Sequence, residues 1–322
     1  MRCLFTGETN VLKYLIRRFA RSLLTLFFIL TIVFVLVRQM PIEGYFPNFE
    51  KMTQIQIENG LHQMGLDQPM TVQLFNFFKG LFHGDLGVSR VYNRGKPVWD
   101  ILKTKIPISI QLGSLSILFS MIVGLPMGIH MAQRKGKLPD HLGTAFIVLI
   151  QAVPAAVYYL VIQLYGTELL QIRLRFDPGE WKSWILPVLS LSLGNIAYYA
   201  MWIRRYMVDE STRDYVMLAR IKGCSERRIM FRHIFRNAFV PMAQYLPTSF
   251  LNTVIGSIYI ESLWSIKGMG GLLVDVIHKQ DNNMILGIVM LFACVGILGL
   301  MLGDLLMVLF DPRISFTKKG GE

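Results

Sequence analysis

MILGIVMLFACVGILGLMLG, residues 284–303, contains no Asp, Glu, Lys or Arg. A helix needs about 20 apolar residues, rising ~1.5 Å each, to cross the hydrocarbon of a bilayer. This stretch therefore reads as a membrane span. Gly299 and Gly303 form a GxxxG step, which permits close approach of a second helix, and Gly296 lies on the same segment. Cys294 sits mid-run as a small apolar packing residue. Asp304 follows at the end of the run, where it could reach the headgroups or a basic neighbour.

Five further segments approach or exceed that length without an ionised residue: 22–37, 106–133, 142–167, 183–203 and 237–260. The whole chain of 322 residues is 53% hydrophobic and 17% charged, with a mean hydropathy of +0.44. A soluble domain is about 25% charged. The shortest run, 22–37, is flanked by Arg21 and Arg38, whose long side chains can snorkel to the interface and complete the span. A signal peptide is the rival for this end. The run is long for one, and RQMPIEG after it offers no small-residue cleavage site. The expectation is an all-α, six-span membrane protein.

Charge orients it. With the N-terminus cytoplasmic, the inside segments 1–21, 134–141, 204–236 and 311–322 carry 20 Lys/Arg in 74 residues. The outside segments 38–105, 168–182 and 261–283 carry 13 in 106. The excess of cations inside agrees with the positive-inside tendency, so both termini are expected in the cytoplasm. The net charge of +12 is then topogenic, and a nucleic-acid partner is not expected. The organisation expected is 1–38 (tail and first span), 39–105 (a small helical extracytoplasmic segment), 106–310 (the main membrane domain, with cytoplasmic loop 204–236) and the cytoplasmic tail 311–322. Pro126 between Gly124 and Gly128 predicts a kink in the second span. Pro154, Pro187, Pro241 and Pro247 interrupt the next three.

Catalytic patterns are missing: no HExxH, GxSxG, P-loop or paired carboxylates, and six scattered His. Cys3, Cys224 and Cys294 give neither a metal spacing nor a disulfide framework. No enzyme and no metal site is expected. Ion-coupled transporters need intramembrane Asp, Glu or His, and these are scarce here. The spans do hold neutral polar residues, among them Gln111, Ser114, Ser116 and Ser120, then Gln244, Thr248, Ser249, Asn252, Thr253 and Ser257. Gln244, Thr248 and Asn252 are four apart and form one stripe. Two readings stand: hydrogen bonds between helices, or the lining of a translocation path with Gln111, Ser114, Gln244, Thr248 and Asn252 on it.

With no energy source in the membrane part, residues 204–236 become the focus. LARIKGCSERRIMFRH (218–233) reads as helix, break at Gly223, and a second helix with Ser225 at its N-cap. Ile229, Met230, His233, Ile234 and Asn237 make an apolar-leaning stripe on that second helix. Ala219 and Gly223, four apart, offer a small face that another surface could approach. Anionic lipid would explain the charge of this loop. A helix presented to a cytoplasmic protein also explains the spacing, the break and the cap.

On these residues the chain resembles the inner-membrane permeases of ATP-binding-cassette importers, closest to the first of the two permeases in oligopeptide, dipeptide and nickel uptake systems. The resemblance runs nearly full length: VLKYLIRRF (11–19), MGLDQPMTVQ (64–73), GDLGVS (84–89), ILPVLSLSL (185–193), DYVMLARIKGCSERRIMFRHIFRNAFVP (214–241), ESLWSIKGMGGLLVDVI (261–277) and LFDPRIS (309–315). It implies the type I importer permease fold in a bacterial or archaeal cytoplasmic membrane. It also implies a second homologous permease, two cytoplasmic ATPase subunits that bind ATP and Mg, and an extracytoplasmic solute-binding protein. This chain would bind no cofactor itself. Ala219, Arg220, Lys222, Gly223, Ser225, Glu226 and Arg227 would form or flank the contact with the ATPase. Two departures stand out. Met217 and Leu218 replace the Glu-Ala that opens the widespread motif, and Lys267-Gly268 replaces a common Pro-Gly. Glu261, Lys267 and Gly268 are placed at the outer gate. Peptides are the expected cargo, with nickel or another small solute as the alternative.

Two other classes remain distinguishable. A channel or secondary transporter would move solute without any ATPase. A receptor or scaffold would show no substrate-stimulated ATP hydrolysis.

Overall fold

The computed structural model describes residues 5–46 and 48–310, without the side chains of 5–16, 255–256 and 307–310. The tail 311–322 and the end of LFDPRIS lie outside them. Among the described residues the chain is helical, with one isolated bridge between Val88 and Pro97 and no strand. In order come α1 (Phe5–Arg38), short 3-10 turns at Ile42–Tyr45 and Phe49–Lys51, α2 (Gln54–Gln63), α3 (Met70–Phe82), α4 (Val98–Gln133), α5 (Leu138–Ala152), α6 (Ala155–Leu170), α7 (Lys182–Ser211) and α8 (Asp214–Ile221). Then α9 (Glu226–Arg228) runs through a π-helical stretch, Ile229–Phe235, into α10 (Arg236–Leu263). α11 (Met269–His278) and α12 (Asn282–Phe310) complete it.

Four helices are long and apolar enough to cross a membrane: Arg17–Arg38 in α1, α4, α7, and Asn282–Leu306 in α12. The expected span 142–167 is two helices, α5 and α6, bent by 102°. Pro154 has no N–H to continue the ladder, and it forces Val153 into extended backbone at ψ 128°. If that pair is one span, the count reaches five. The expected span 237–260 is helical within α10, which has 28 residues. Its Gln, Asn, Ser and Thr side chains dilute it below the apolarity of the others. The helix thus has the length of a sixth span without the composition.

α4 is unbroken through Pro126. The flanking glycines take part in close helix packing. A Cβ on Gly124 would lie 2.9 Å from the Ile196 carbonyl oxygen, and one on Gly128 would lie 2.4 Å from that of Ala200. Gly124-x3-Gly128 is therefore the groove into which α7 packs. The step on α12 works the same way, with Gly299 against Leu251 and Gly303 2.5 Å from the Gln244 oxygen. Gly128→Ala should destabilise the protein by about 2 kcal/mol, because backbone rather than a side-chain tip must give way. Gly296→Ala, whose Cβ meets nothing within 4 Å, should not. Thermal melts in detergent measure both, and equal melting temperatures would refute the close α4–α7 contact.

The chain divides into two compact units. Among the described residues the larger comprises 5–15, Ile110–Ile266 and 298–310. α7 is its central helix, touching α5, α6, α10 and the π stretch. Ile117, Tyr199, Ile203, Met207, Val216, Ala219, Ile229, Ile234, Ala238 and Met242 form one buried cluster. Asp140, at the start of α5, is buried and accepts two hydrogen bonds from Arg204 of α7, at 2.5 and 2.6 Å, and a third from the Gly136 N–H at 2.9 Å.

The smaller unit comprises Ile16–Ser109 and Lys267–Ile297. Its core includes Phe34, Val98, Leu102, Leu272, Val276, Met284 and Ile288. Arg38, at the end of α1, has partners within this unit. It donates to the Tyr45 hydroxyl at 2.8 Å and lies 4.9 Å over the Phe34 ring. The loop after α3 is held by one carboxylate. Asp281 Oδ2 accepts from the Ser89 hydroxyl at 2.6 Å and from the backbone N–H groups of Arg90, Val91 and Tyr92 at 2.9–3.0 Å. Its Oδ1 accepts from the Met284 N–H at 3.2 Å, capping α12. Gln280 takes the left-handed φ of 55°, which lets the Asp281 N–H close back onto the Val276 carbonyl. Asp304, expected to reach the headgroups or a basic neighbour, is buried.

Candidate coupling surface and polar face

α8 is short and firmly seated. Tyr215 donates to the Glu210 carboxylate and accepts from Asn237 at 2.9 Å, tying α8 to the end of α7 and the start of α10. Burial first, then the Glu210 carboxylate, push the Tyr215 phenol above its ordinary pKa, so it remains a donor near neutrality. Val216 and Ala219 face the core. On the other side Met217, Leu218 and Ile221 are 66%, 53% and 77% exposed, beside the exposed Arg220 and Lys222. Large apolar groups so uncovered on one short helix mark a contact surface more than chance scatter.

The helix ends in a Schellman motif. The Cys224 N–H bonds the Ala219 carbonyl at 3.1 Å and the Gly223 N–H bonds that of Arg220 at 2.9 Å. Gly223 supplies the left-handed residue, φ +74°. This corrects the expectation of a small face made by two residues. Ala219 is 6% exposed and covered by its own chain, and Gly223 alone is open. Their spacing of four is that of the Schellman residues C3 and C′. Ser225 occupies the N-cap position of α9 with extended backbone, and its carbonyl accepts from the Ile229 N–H at 3.0 Å. Its hydroxyl makes no cap bond, contrary to expectation. Glu226 accepts from Arg220 at 3.1 Å across the turn, both exposed, and Arg227 is exposed beside them. The sequence reading passed over Met217, Leu218 and Ile221 as an exposed set. The signal was there, in bulky apolar residues within an otherwise basic loop.

The neutral polar residues divide in two. Ser116, Ser120, Ser249 and Thr253 are buried and bonded between helices. Ser120 donates to the Ser192 carbonyl at 3.2 Å, Ser192 to that of Ser116 at 3.0 Å, Asn195 to Thr253 at 3.0 Å, and Tyr199 pairs with Ser249 at 2.6 Å. Gln111, Ser114 and Asn252 are exposed, and Gln244 and Thr248 are half-buried. Gly113 of α4 abuts Val254 of α10, which brings the two polar-bearing helices together. The hydrogen-bonding reading thus finds members among the buried residues. Asn195 and Tyr199, which complete the buried set, and the Asp140–Arg204 pair were not anticipated.

Of the residues assigned to an outer gate, Glu261 is buried near the end of α10 and accepts from Ser257 at 2.7 Å. Lys267 is exposed. Gly268 is buried at the N-cap of α11, next to Met269, whose N–H bonds the Ser109 hydroxyl at 2.7 Å.

Several helices long and apolar enough to cross a membrane are the build of a multi-pass membrane protein. Residues 124–316 match the family described as binding-protein-dependent transport system inner membrane component, and residues 11–113 match the N-terminal region described for such membrane components. The chain belongs to this family, as a permease subunit of an ATP-binding-cassette importer. Its curated relatives include the dipeptide transport system permease protein DppB of Lactococcus lactis subsp. cremoris, 31% identical over 94% of this chain and 99% of the relative. The oligopeptide permease OppB of Salmonella typhimurium is 29% identical over 95% and 100%. The glutathione permease GsiC of Escherichia coli K12 is 31% identical over 95% and 100%. Among solved structures, an inward-facing MetNI methionine ABC transporter shares the fold, with a TM-score of 0.56 at 12% identity over 66% of this chain and 96% of that one.

Proposed function

We propose that this chain is one half of the translocation path of a peptide importer in a bacterial or archaeal cytoplasmic membrane. It spans the bilayer six times with both termini inside, α10 and the α5–α6 pair each counting as a span. A second homologous permease forms the other half, and a solute-binding protein delivers peptide from outside. Two cytoplasmic ATPase subunits, holding ATP and its Mg, dock on α8 and the start of α9. Dipeptide, oligopeptide and glutathione permeases among its relatives support peptide as the cargo.

The observation that carries the reading is the exposed apolar face of α8, Met217, Leu218 and Ile221, ringed by Arg220, Lys222 and Arg227. α8 is held to α7 and α10 through Tyr215, so a pull on it is transmitted to both spans rather than absorbed by a loop. Closure of the ATPases moves residues 215–232 and turns the path outward. Gln111, Ser114, Gln244, Thr248 and Asn252 line it. Uncovered polar groups facing lipid would be costly, and a wet path or the second permease removes that cost.

Ile221→Asp should cut peptide-stimulated ATP hydrolysis by at least about tenfold, since it puts a charge into a desolvated contact. Its side chain touches no core, so melting should be unchanged. Gly223→Asn, which tolerates left-handed backbone, should stay near wild type, whereas Gly223→Val should not. ATPase activity of the reconstituted complex decides. Full coupling in Ile221→Asp would sink the docking assignment.

A further inference from the structure

The smaller unit has a groove of about 560 Å³, between the 3-10 turn Ile42–Tyr45, α2 and the loop that Asp281 clamps. That is within the ~300–1,000 Å³ usual for small-ligand sites. Arg90 and Arg94 line it, and no Asp or Glu does. Gln56, Asn59 and Gln63, at positions i, i+3 and i+7, turn one amide-bearing face of α2 towards it. Asn59 and Gln63 make no side-chain hydrogen bond among the described residues, so both are available to a ligand.

Arg90 carries the argument furthest. Its backbone N–H is fixed by Asp281, so its position is set. Its Nε is buried and has no acceptor among the described residues. A buried N–H of a cation without an acceptor is costly, and turning the guanidinium into the groove onto a ligand carboxylate would supply the missing acceptor. Arg94 is exposed on the same loop and can close on the second oxygen.

We propose that this groove binds the carboxylate end of a peptide on its way to the path, Arg90 and Arg94 holding the carboxylate and the α2 amides bonding the peptide backbone. The inference rests on the peptide-permease reading, with this unit facing outward. A peptide suits the site better than a lipid phosphate. A row of neutral amides matches alternating N–H and C=O groups and has nothing to offer an acyl chain.

The test uses the full importer in nanodiscs and two probes, fluorescent tetraalanine with a free C-terminus and the same peptide as its C-terminal amide. In the complex without binding protein, the acid should bind at least about tenfold more tightly than the amide. Arg94→Gln, and separately Arg90→Gln, should erase that difference while leaving basal ATP hydrolysis and melting unchanged. Equal binding of acid and amide by the wild type overturns the proposal, as does an acid preference that survives both substitutions. Displacement of the acid by phosphatidylglycerol vesicles and not by unlabelled tetraalanine overturns it in favour of a lipid site. If the complete wild-type importer takes up neither probe, the peptide reading itself fails. If it takes up peptide and the variants bind normally, only the groove assignment fails.

Discussion

Asp281→Ala is expected to destabilise the smaller unit by about 4 kcal/mol. Five donors lose their acceptor at once: the Ser89 hydroxyl and the N–H groups of Arg90, Val91, Tyr92 and Met284. Each partly buried donor left unpaired costs on the order of 1 kcal/mol, and the start of α12 loses its cap as well. Asp281→Asn keeps one acceptor oxygen but turns an NH₂ towards donors, so it should fall between wild type and alanine. Hydrogen exchange reads the effect at its source. The amides of Arg90, Val91 and Tyr92 should lose protection together in Asp281→Ala, while those of α7 keep theirs. Unchanged exchange at the three amides would show that the loop holds itself without the carboxylate.

In the larger unit, Asp140→Ala should lower stability by about 3 kcal/mol. It strands the Arg204 guanidinium in a half-buried setting and leaves the Gly136 N–H without its acceptor. Removing one member of a buried ion pair costs ~3–5 kcal/mol, and the partial exposure of Arg204 puts this case at the low end. The double replacement Asp140→Leu with Arg204→Met should recover much of the loss, because no unpaired charge remains. Detergent melts of the single and double variants test this. A double variant no more stable than Asp140→Ala alone would mean that the bond geometry, and not the stranded charge, sets the cost.

Local chemistry in the sequence foretold a good part of this fold. The uncharged run 284–303, the break at Gly223 and the GxxxG step at Gly299 each depend on neighbours within a turn or two, and each has its counterpart in the structure. The misreadings share a different cause. Pro154 announces a break but not a 102° bend, which depends on what α5 and α6 meet beyond it. The packing role of Gly124 and Gly128 shows only once α7 is known to lie against them. Asp281 is 192 residues from Ser89, and no pattern along the chain links them. For the candidate site, the helix, its stop and its basic rim were legible. The burial of Ala219 was not, because it depends on Ile229 and Ile234 returning from the far side of the turn to join the same cluster.

The π stretch Ile229–Phe235 has a consequence best put in terms of phase. Along this segment the buried positions run Ile229, Ile234, Ala238, Met242, with steps of five, four and four. An α-helix turns about 100° per residue, so a step of five would swing the next buried side chain well off the face of the first. The wider π turn absorbs the extra residue, and the face stays in line. The stretch is a one-residue delay between two helices that each keep ordinary time. Let the turn relax to α with that residue kept, and everything from Arg236 onward rotates by about 100° against the part that meets α8. The orientation of α10 is thereby tied to the π form of the turn that accommodates one surplus residue beside α8.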